Sequence, residues 1–174
     1  MTAEDALGRC PHALALARAA TAATLPPRLR GEASFAHTLR VRYGECDPQG
    51  VVFNAHYLAY FDIGVTELFR TAFDSLGGYH AMVDRGVEFV VAEAGLHYHR
   101  PAHFDDELTL EVAITRLGTT SMTTCYRVLR DGELLVDATL RHVLIDLHKL
   151  RAHEPDPKTA IPEWMRERLT RYEE

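Results

Sequence analysis

The residues of this chain best suited to chemistry lie between Tyr43 and Tyr57, where an acidic turn precedes an apolar segment of helical character. Asp47 stands in the sequence Asp-Pro-Gln-Gly, a turn that holds its carboxylate without burying it in a helix. An ionised aspartate can attack a carbonyl carbon or orient a water molecule. The helix that follows offers unpaired backbone N–H groups, which can stabilise an oxyanion. The segment predicts a site that cleaves an acyl bond, although Asp47 can also be a turn former with no catalytic part.

The composition is that of one ordinary globular domain. The chain has 174 residues, of which 47% are hydrophobic and 25% charged, enough to bury a core of its own. The formal net charge of -6 argues against a broad nucleic-acid-binding surface, so nucleic acid is not expected as a partner.

Neither secretion nor membrane insertion is indicated. Apolar runs fall short of the roughly 20 residues of a membrane helix, and Glu4 and Asp5 stand where a signal peptide would be basic. Cys10, Cys46 and Cys125 are scattered, without a CxxC pair or an even-numbered disulfide framework. We expect a cytoplasmic protein that does not associate with membranes.

The chain divides into three parts by composition. Residues 1–33 are rich in alanine up to Pro26-Pro27 and are predicted to be an N-terminal extension, partly helical or mobile. Residues 34–155 carry the regular hydrophobic patterns of the main domain. Residues 156–174 are a C-terminal tail, in which Pro162 favours the start of a short helix.

The patterns of the main domain predict one strand, one long helix and four further strands. Alternation from Phe35 to Tyr43 indicates the first strand, and helical spacing runs from about Ala55 to Phe73, with Gly64 allowing another element to approach closely. The remaining strands are predicted at about Val87 to Arg100, around Leu108 to Ile114, around Met122 to Val128, and, after a turn at Asp131-Gly132, at Leu134 to Leu147. This order favours an α+β fold with an antiparallel sheet.

Two segments in this order resemble a known family. Tyr43 to Tyr57, continued to Asp62, and Tyr98 to Leu108, where a basic residue and a proline precede a polar turn, resemble the hotdog-fold thioesterases of the 4-hydroxybenzoyl-CoA thioesterase group. That group includes the bacterial short-chain acyl-CoA thioesterases, and the resemblance covers residues 35 to about 155. It implies a five-stranded antiparallel sheet wrapped around one long central helix. It also implies homodimers or homotetramers with sheets joined edge to edge.

The resemblance also assigns catalytic roles. It places the catalytic carboxylate at Asp47, as nucleophile or general base, and the oxyanion donor at the backbone N–H of Asn54 or just beyond. Tyr43 matches a tyrosine near the family's site, where it can bond the turn or the substrate, or simply pack. Several relatives carry histidine at the Asn54 position and asparagine at the His56 position, so a histidine-assisted mechanism is not carried over unchanged. His56 can orient the thioester or a water, or be a satisfied, half-buried histidine, and Asn54 can also be a simple N-cap.

Further residues are expected to bind the substrate. Arg100 is a rim cation suited to a cofactor phosphate, and Thr120 and Ser121 offer short donors for a pantetheine or diphosphate, although hairpins are often rich in such residues. The remaining expected contacts are Gly50, Val51, Val52, Phe53 and Tyr57. The aromatic side chains Tyr57, Phe61, Phe69, Phe73 and Phe89 can line an acyl pocket or belong to the core.

No metal or separate cofactor is expected, since CoA is part of the substrate and the family reaction is metal-free. His97, His99 and His103 invite a metal interpretation, but no cysteine or carboxylate of evident ligand spacing accompanies them. The sequence thus predicts hydrolysis of short, medium or aromatic acyl-CoA to the free acid and CoA. Two alternatives stay open: a thioesterase for acyl-carrier-protein or polyketide-pathway thioesters, and a non-catalytic acyl-binding protein of the same fold.

Overall fold

The computed structural model describes residues 34–174, so the predicted N-terminal extension lies outside the described residues. The strands are β1 (Phe35–Arg40), β2 (Val87–Tyr98), β3 (Glu107–Leu117), β4 (Ser121–Arg130) and β5 (Glu133–Asp146). The helices are α1 (His56–Ala72), α2 (His80–Val83), α3 (Leu147–Arg151) and α4 (Glu163–Leu169). Short 3-10 turns cover Tyr43–Glu45, Asp74–Leu76 and Thr170–Tyr172.

The five strands form one antiparallel sheet in the order β1-β3-β4-β5-β2. Half-buried and exposed residues alternate along β1, and buried residues alternate with more exposed ones along the first half of β3, so one face of each strand turns towards the core. Asp131 and Gly132 have φ angles of 51° and 80°, and this left-handed pair makes the predicted hairpin turn between β4 and β5. The predicted order of strand, helix and four strands is confirmed, and β2 lies at an edge of the sheet.

Helix α1 packs on one face of the sheet, mainly against β3 and β1. Its buried side includes Tyr60, Phe61 and Leu68, which are at most 1% exposed. A Cβ on Gly64 would lie 3.0 Å from Val112 Cγ2, so the close approach of another element predicted at this glycine is confirmed, and that element is β3. The hydrophobic pattern of α1 predicts burial over most of its circumference, but the side towards β2 is partly exposed. Leu58 on this side is 43% exposed.

The first strand is shorter than predicted. Strand β1 ends at Arg40, and Tyr43 begins a 3-10 turn instead of continuing the strand. The reason is local: the backbone N–H of Arg42 donates to Glu45 Oε2 at 2.7 Å, which bends the chain. The predicted strand through Tyr43 is therefore wrong by three residues.

The C-terminal segment packs against the core. Pro162 precedes α4, and Met165 and Leu169 on that helix are fully buried. Trp164 contacts Phe73 with ring centroids 5.4 Å apart. None of the helices between residues 34 and 174 has the length and hydrophobicity needed to span a membrane.

Candidate active site

Asp47 opens a tight turn held by its own backbone. Its N–H donates to Val51 O at 2.9 Å, and the N–H of Gly50 donates to Asp47 O at 2.9 Å. Gly50 has a φ of 79°, a conformation that glycine adopts without strain. The half-buried carboxylate accepts from the Gln49 N–H through Oδ1 at 2.8 Å. Its Oδ2 accepts no hydrogen bond from residues 34–174.

Backbone hydrogen bonds fix the segment after this turn. The N–H of Val52 donates to Ala102 O at 2.9 Å, and Val51 forms a bridge with His103. The N–H of Phe53 donates to Glu45 O at 2.9 Å. The Asp47 turn is therefore tied to the loop between β2 and β3.

Glu45 forms hydrogen bonds next to the Asp47 turn and was not predicted as a site residue. Its Oε2 accepts from the Tyr60 hydroxyl at 2.8 Å and from the Arg42 N–H at 2.7 Å. Burial and the Glu45 carboxylate raise the pKa of Tyr60, so its hydroxyl stays protonated and can donate. The sequence signal was an acid three residues after Arg42, the spacing of a capping interaction.

The start of α1 exposes backbone donors. Ala55 is the N-cap, so Asn54 does not cap the helix with its side chain. The N–H of His56 donates to Phe53 O at 2.8 Å, and that of Leu58 donates to Ala55 O at 3.2 Å. Within the described part of the chain, the N–H groups of Asn54 and Ala55 have no hydrogen-bond partner. The positive end of the helix dipole lies at the same place.

A groove of about 280 Å³ opens at this helix start, and we call it the entrance groove. It is lined by Val51, Val52, Asn54, Tyr57, Tyr98, His99, Arg100 and Pro101. The structure therefore brings together five predicted residues: Val51, Val52, Asn54, Tyr57 and Arg100. Sequence reasoning missed Tyr98, whose hydroxyl donates to Asn54 O at 3.0 Å and whose ring contacts that of Tyr57 at 5.6 Å.

Other predicted residues do not line this groove. Asp47 and Gly50 belong to the adjoining turn. Phe53, 47% exposed, contacts the half-buried ring of His56 at 6.1 Å. Tyr43 is 82% exposed, and its ring meets that of Phe104 edge-on at 5.9 Å. The guanidinium of Arg100 forms an exposed ion pair with Glu133.

Thr120 and Ser121 lie far from the entrance groove within one chain. Ser121 pairs with Val143 of β5, whereas Tyr98 pairs with Val136 of the same strand. Seven strand residues correspond to about 23 Å. Thr120 O accepts from the Leu144 N–H at 2.9 Å, so its backbone is part of the sheet. Contact of Thr120 and Ser121 with a substrate in the entrance groove remains a prediction, and it would require a second copy of the chain.

The aromatic candidates belong mostly to the core. Phe61 and Phe73 are fully buried, and Phe69 is 3% exposed. Phe69 stacks between Phe73 at 5.8 Å and the half-buried Phe89 at 5.5 Å. Tyr57 is the member of this set that lines the entrance groove.

The three histidines do not converge. His97 Nδ1 lies 3.1 Å from Asp137 Oδ1, and His99 Nε2 bonds the other oxygen of the same carboxylate. Asp137 is 1% exposed and was missed by sequence reasoning, because a single acid within an apolar strand gives no sign of its cross-strand neighbours. His103 instead lies beside Asp106. Across residues 34–174, no group of three or more histidine, cysteine or acidic side chains is arranged to hold a metal ion.

Comparison with known proteins assigns the family. A family model described as the thioesterase-like superfamily matches residues 41–169. The chain is 30% identical over 131 residues to the acyl-CoA thioester hydrolase YbgC of Escherichia coli, covering 75% of this chain and 95% of that protein. It is 27% identical over 128 residues to the putative acyl-CoA thioesterase YneP of Bacillus subtilis, covering 72% and 88%.

Solved structures agree with this assignment. A hypothetical protein from Thermus thermophilus superposes with a TM-score of 0.68 at 27% identity, covering 81% of this chain and 98% of that one. A probable thioesterase from Bartonella henselae gives a TM-score of 0.64 at 26% identity, covering 74% and 99%. The predicted hotdog fold is confirmed, as is the prediction of a thioester hydrolase. The chain belongs to the thioesterase-like superfamily.

Proposed function

We propose that the protein hydrolyses acyl-CoA thioesters to the free acid and CoA, with Asp47 as general base or nucleophile and the N–H groups of Asn54 and Ala55 as oxyanion donors. One observation carries the proposal: among residues 34–174, a carboxylate with an unpaired oxygen precedes two unpartnered N–H groups at a helix start that opens into a groove. The names of the relatives, an acyl-CoA thioester hydrolase and a putative acyl-CoA thioesterase, support the choice of CoA esters.

The two roles of Asp47 give the same overall reaction. As general base, the carboxylate takes a proton from water while the water oxygen adds to the thioester carbon, and the carbonyl oxygen becomes an oxyanion held by the helix-start N–H groups. Collapse breaks the C–S bond, and the proton passes from Asp47 to the CoA sulfur. As nucleophile, the carboxylate itself forms a mixed anhydride and releases CoA thiolate, which takes up a proton, and water then hydrolyses the anhydride to regenerate Asp47.

The surrounding residues would hold the substrate. Val51, Val52 and Tyr57 form walls against which a pantetheine arm can lie, and Arg100 at the rim can exchange Glu133 for a phosphate. Gly50 keeps the turn tight, and Phe53, His56 and Tyr43, which are close to the turn in sequence, would support the substrate or the turn. The chemistry requires no metal and no cofactor besides the CoA of the substrate.

The proposed assembly is a homodimer, or a pair of such dimers, joined through β2. This edge strand is 12 residues long and exposes Val90 and Val91, 40% and 52% accessible, and no described strand pairs with its outer edge. Such an edge favours pairing with a second copy. In an antiparallel pair, the Val87 end of one β2 lies beside the Tyr98 end of the other. Ser121 belongs to the Val87 end, so the partner would supply Thr120 and Ser121 to the entrance groove.

A panel of CoA thioesters with short, medium and aromatic acyl groups tests the function by thiol release. The proposal predicts turnover of at least one class above the uncatalysed rate. If the folded protein cleaves only acyl-carrier-protein thioesters, the CoA assignment is wrong while the chemistry stands. If it cleaves neither but binds the acyl groups, the protein is a binding module and the proposal fails.

A further inference from the structure

A second cavity lies midway along α1, between the helix and β2, and we call it the middle cavity. Its volume is about 290 Å³, and most of its lining is apolar: Leu58, Val65, Val91, Ala94, Tyr126 and Leu140. Leu58 and Val91 are 43% and 52% exposed, so apolar surface is left uncovered on both sides. The polar residues of the lining besides the Tyr126 hydroxyl are Asp62 and His142.

His142 forms part of a buried polar cluster in the wall of this cavity. The residue is 3% exposed, and its Nε2 lies 3.0 Å from Thr124 Oγ1 and 3.4 Å from the Tyr126 hydroxyl. The Thr124 hydroxyl donates to the Tyr126 hydroxyl oxygen at 3.1 Å. One ring nitrogen is therefore engaged by the protein.

The other ring nitrogen is not engaged by the described residues. No residue among 34–174 forms a hydrogen bond with His142 Nδ1. Yet none of the described side chains has a fully buried nitrogen or oxygen that lacks a partner. Nδ1 must therefore keep some accessible surface, and the cavities beside the ring provide it.

The ring offers a hydrogen bond without a charge. Burial lowers the pKa of His142 to about 4, so the imidazole is neutral near pH 7 and Nδ1 can exchange one neutral hydrogen bond with an occupant. A purely apolar occupant would cover this nitrogen and leave it unpaired, at a cost typical of buried polar groups.

The middle cavity and the entrance groove lie along the same two elements, α1 and β2. Tyr57 and Tyr98 line the groove, whereas Leu58, the next residue of α1, and Ala94, four residues before Tyr98 on β2, line the cavity. Asn54 precedes Asp62 by eight residues, which corresponds to a rise of about 12 Å along the helix. An acyl group of medium length whose carbonyl lies at the Asn54 N–H can therefore extend as far as Asp62, which lines the same cavity as His142.

Building on the proposed function, we infer that the middle cavity receives the far end of the acyl group and that His142 is a specificity-determining residue that hydrogen-bonds a hydroxyl there. The favoured substrates are medium-length acyl-CoA esters, aliphatic or aromatic, with a hydroxyl at the far end. Asp62 at the rim adds a negative charge that disfavours acyl groups ending in a carboxylate.

The test compares phenylpropanoyl-CoA with its para-hydroxylated analogue in the wild type and in His142→Gln. A glutamine amide can keep the bond to Thr124 while removing the group at the Nδ1 position. We expect the wild type to prefer the hydroxylated ester, and the ratio of kcat/KM values to fall by about tenfold in His142→Gln. The matched control is Leu140→Val, which alters the same wall without touching the ring and should change both esters alike. An unchanged ratio in folded His142→Gln, or equal loss in Leu140→Val, would overturn the inference.

A binding measurement separates this inference from the proposed function. Non-hydrolysable thioether analogues of the two esters are titrated calorimetrically against wild type and His142→Gln. If the protein turns over none of the esters, only the proposed hydrolase function is refuted. The subsite would still be supported if the wild type bound the hydroxylated analogue more tightly and His142→Gln lost this difference in affinity. Equal affinity of the wild type for both analogues would refute the subsite whatever the turnover.

Discussion

The buried imidazole of His142 makes a prediction about stability and pH. The ring is 3% exposed, and burial lowers its pKa from 6.5 to about 4. The unfolded chain therefore binds a proton between these values while the folded chain does not, so stability falls as the pH drops through this window. The charged and titratable groups that share a cavity lining with the ring are Asp62 of α1, Tyr79 just before α2, Glu88 of β2 and Tyr126 of β4.

The magnitude follows from the two pKa values. Their difference corresponds to about 3 kcal/mol of unfolding free energy when complete. The effect is nearly absent at about pH 7 and reaches about 2 kcal/mol at about pH 4.5. Carboxylates also titrate in this range, so the wild type alone does not isolate the histidine.

Urea unfolding at fixed protein concentration, followed by circular dichroism, provides the assay. The difference in unfolding free energy between wild type and His142→Gln should change by about 2 kcal/mol between about pH 7 and about pH 4.5, because only the wild type gains a proton at this position on unfolding. His80→Gln, at an exposed histidine, is the control and should follow the wild-type slope. If wild type and His142→Gln lose stability in parallel as the pH falls, the burial argument is refuted.

Three further predictions concern packing, the turn and assembly. Gly64→Ala should lower the unfolding free energy, measured in urea, by about 1 kcal/mol, because overpacking against Val112 outweighs the gain in helix propensity. Gly44→Ala is the control, since nothing lies within 4 Å of a Cβ at that position. A Gly64→Ala protein as stable as the wild type would contradict the contact. Glu45→Ala should lower the unfolding free energy by about 2 kcal/mol and also lower kcat, since the Tyr60 hydroxyl and the Arg42 N–H lose their acceptor. The control Glu107→Ala, at an exposed glutamate, should change neither quantity. A Glu45→Ala protein with wild-type stability and wild-type kcat would exclude a positioning role. Val90→Lys should shift the protein to a smaller species in sedimentation velocity, because it places a charge on β2, the edge strand proposed to pair with a second copy. If the wild type itself sediments as a monomer, the proposed assembly is refuted.

The order of elements could be predicted because each has a clear period. Alternation gave the strands, helical spacing gave α1 to within a residue or so at each end, and Gly64 marked a real close approach. The Asp47 turn followed from its proline and glycine alone. These features depend on residues that are near each other in sequence.

The misses depend on residues that are far apart or on single hydrogen bonds. Strand β1 stops early because one side chain, Glu45, bonds the Arg42 backbone, and hydrophobic alternation does not register such a bond. Asp137 meets His97 and His99 only through the pairing of β2 with β5, which the sequence does not specify. The distance between Ser121 and the entrance groove likewise follows from the register of β2 and β4 against β5, not from local pattern.

The central claim is that Asp47 performs the chemistry, and steady-state kinetics of Asp47→Asn on the best CoA ester test it most directly. The matched control is Asp105→Asn, the same change at an exposed aspartate in a neighbouring turn. The account predicts a fall in kcat on the order of 10³ for Asp47→Asn, with KM nearly unchanged, and wild-type rates for Asp105→Asn. A folded Asp47→Asn protein that keeps the wild-type kcat would contradict it.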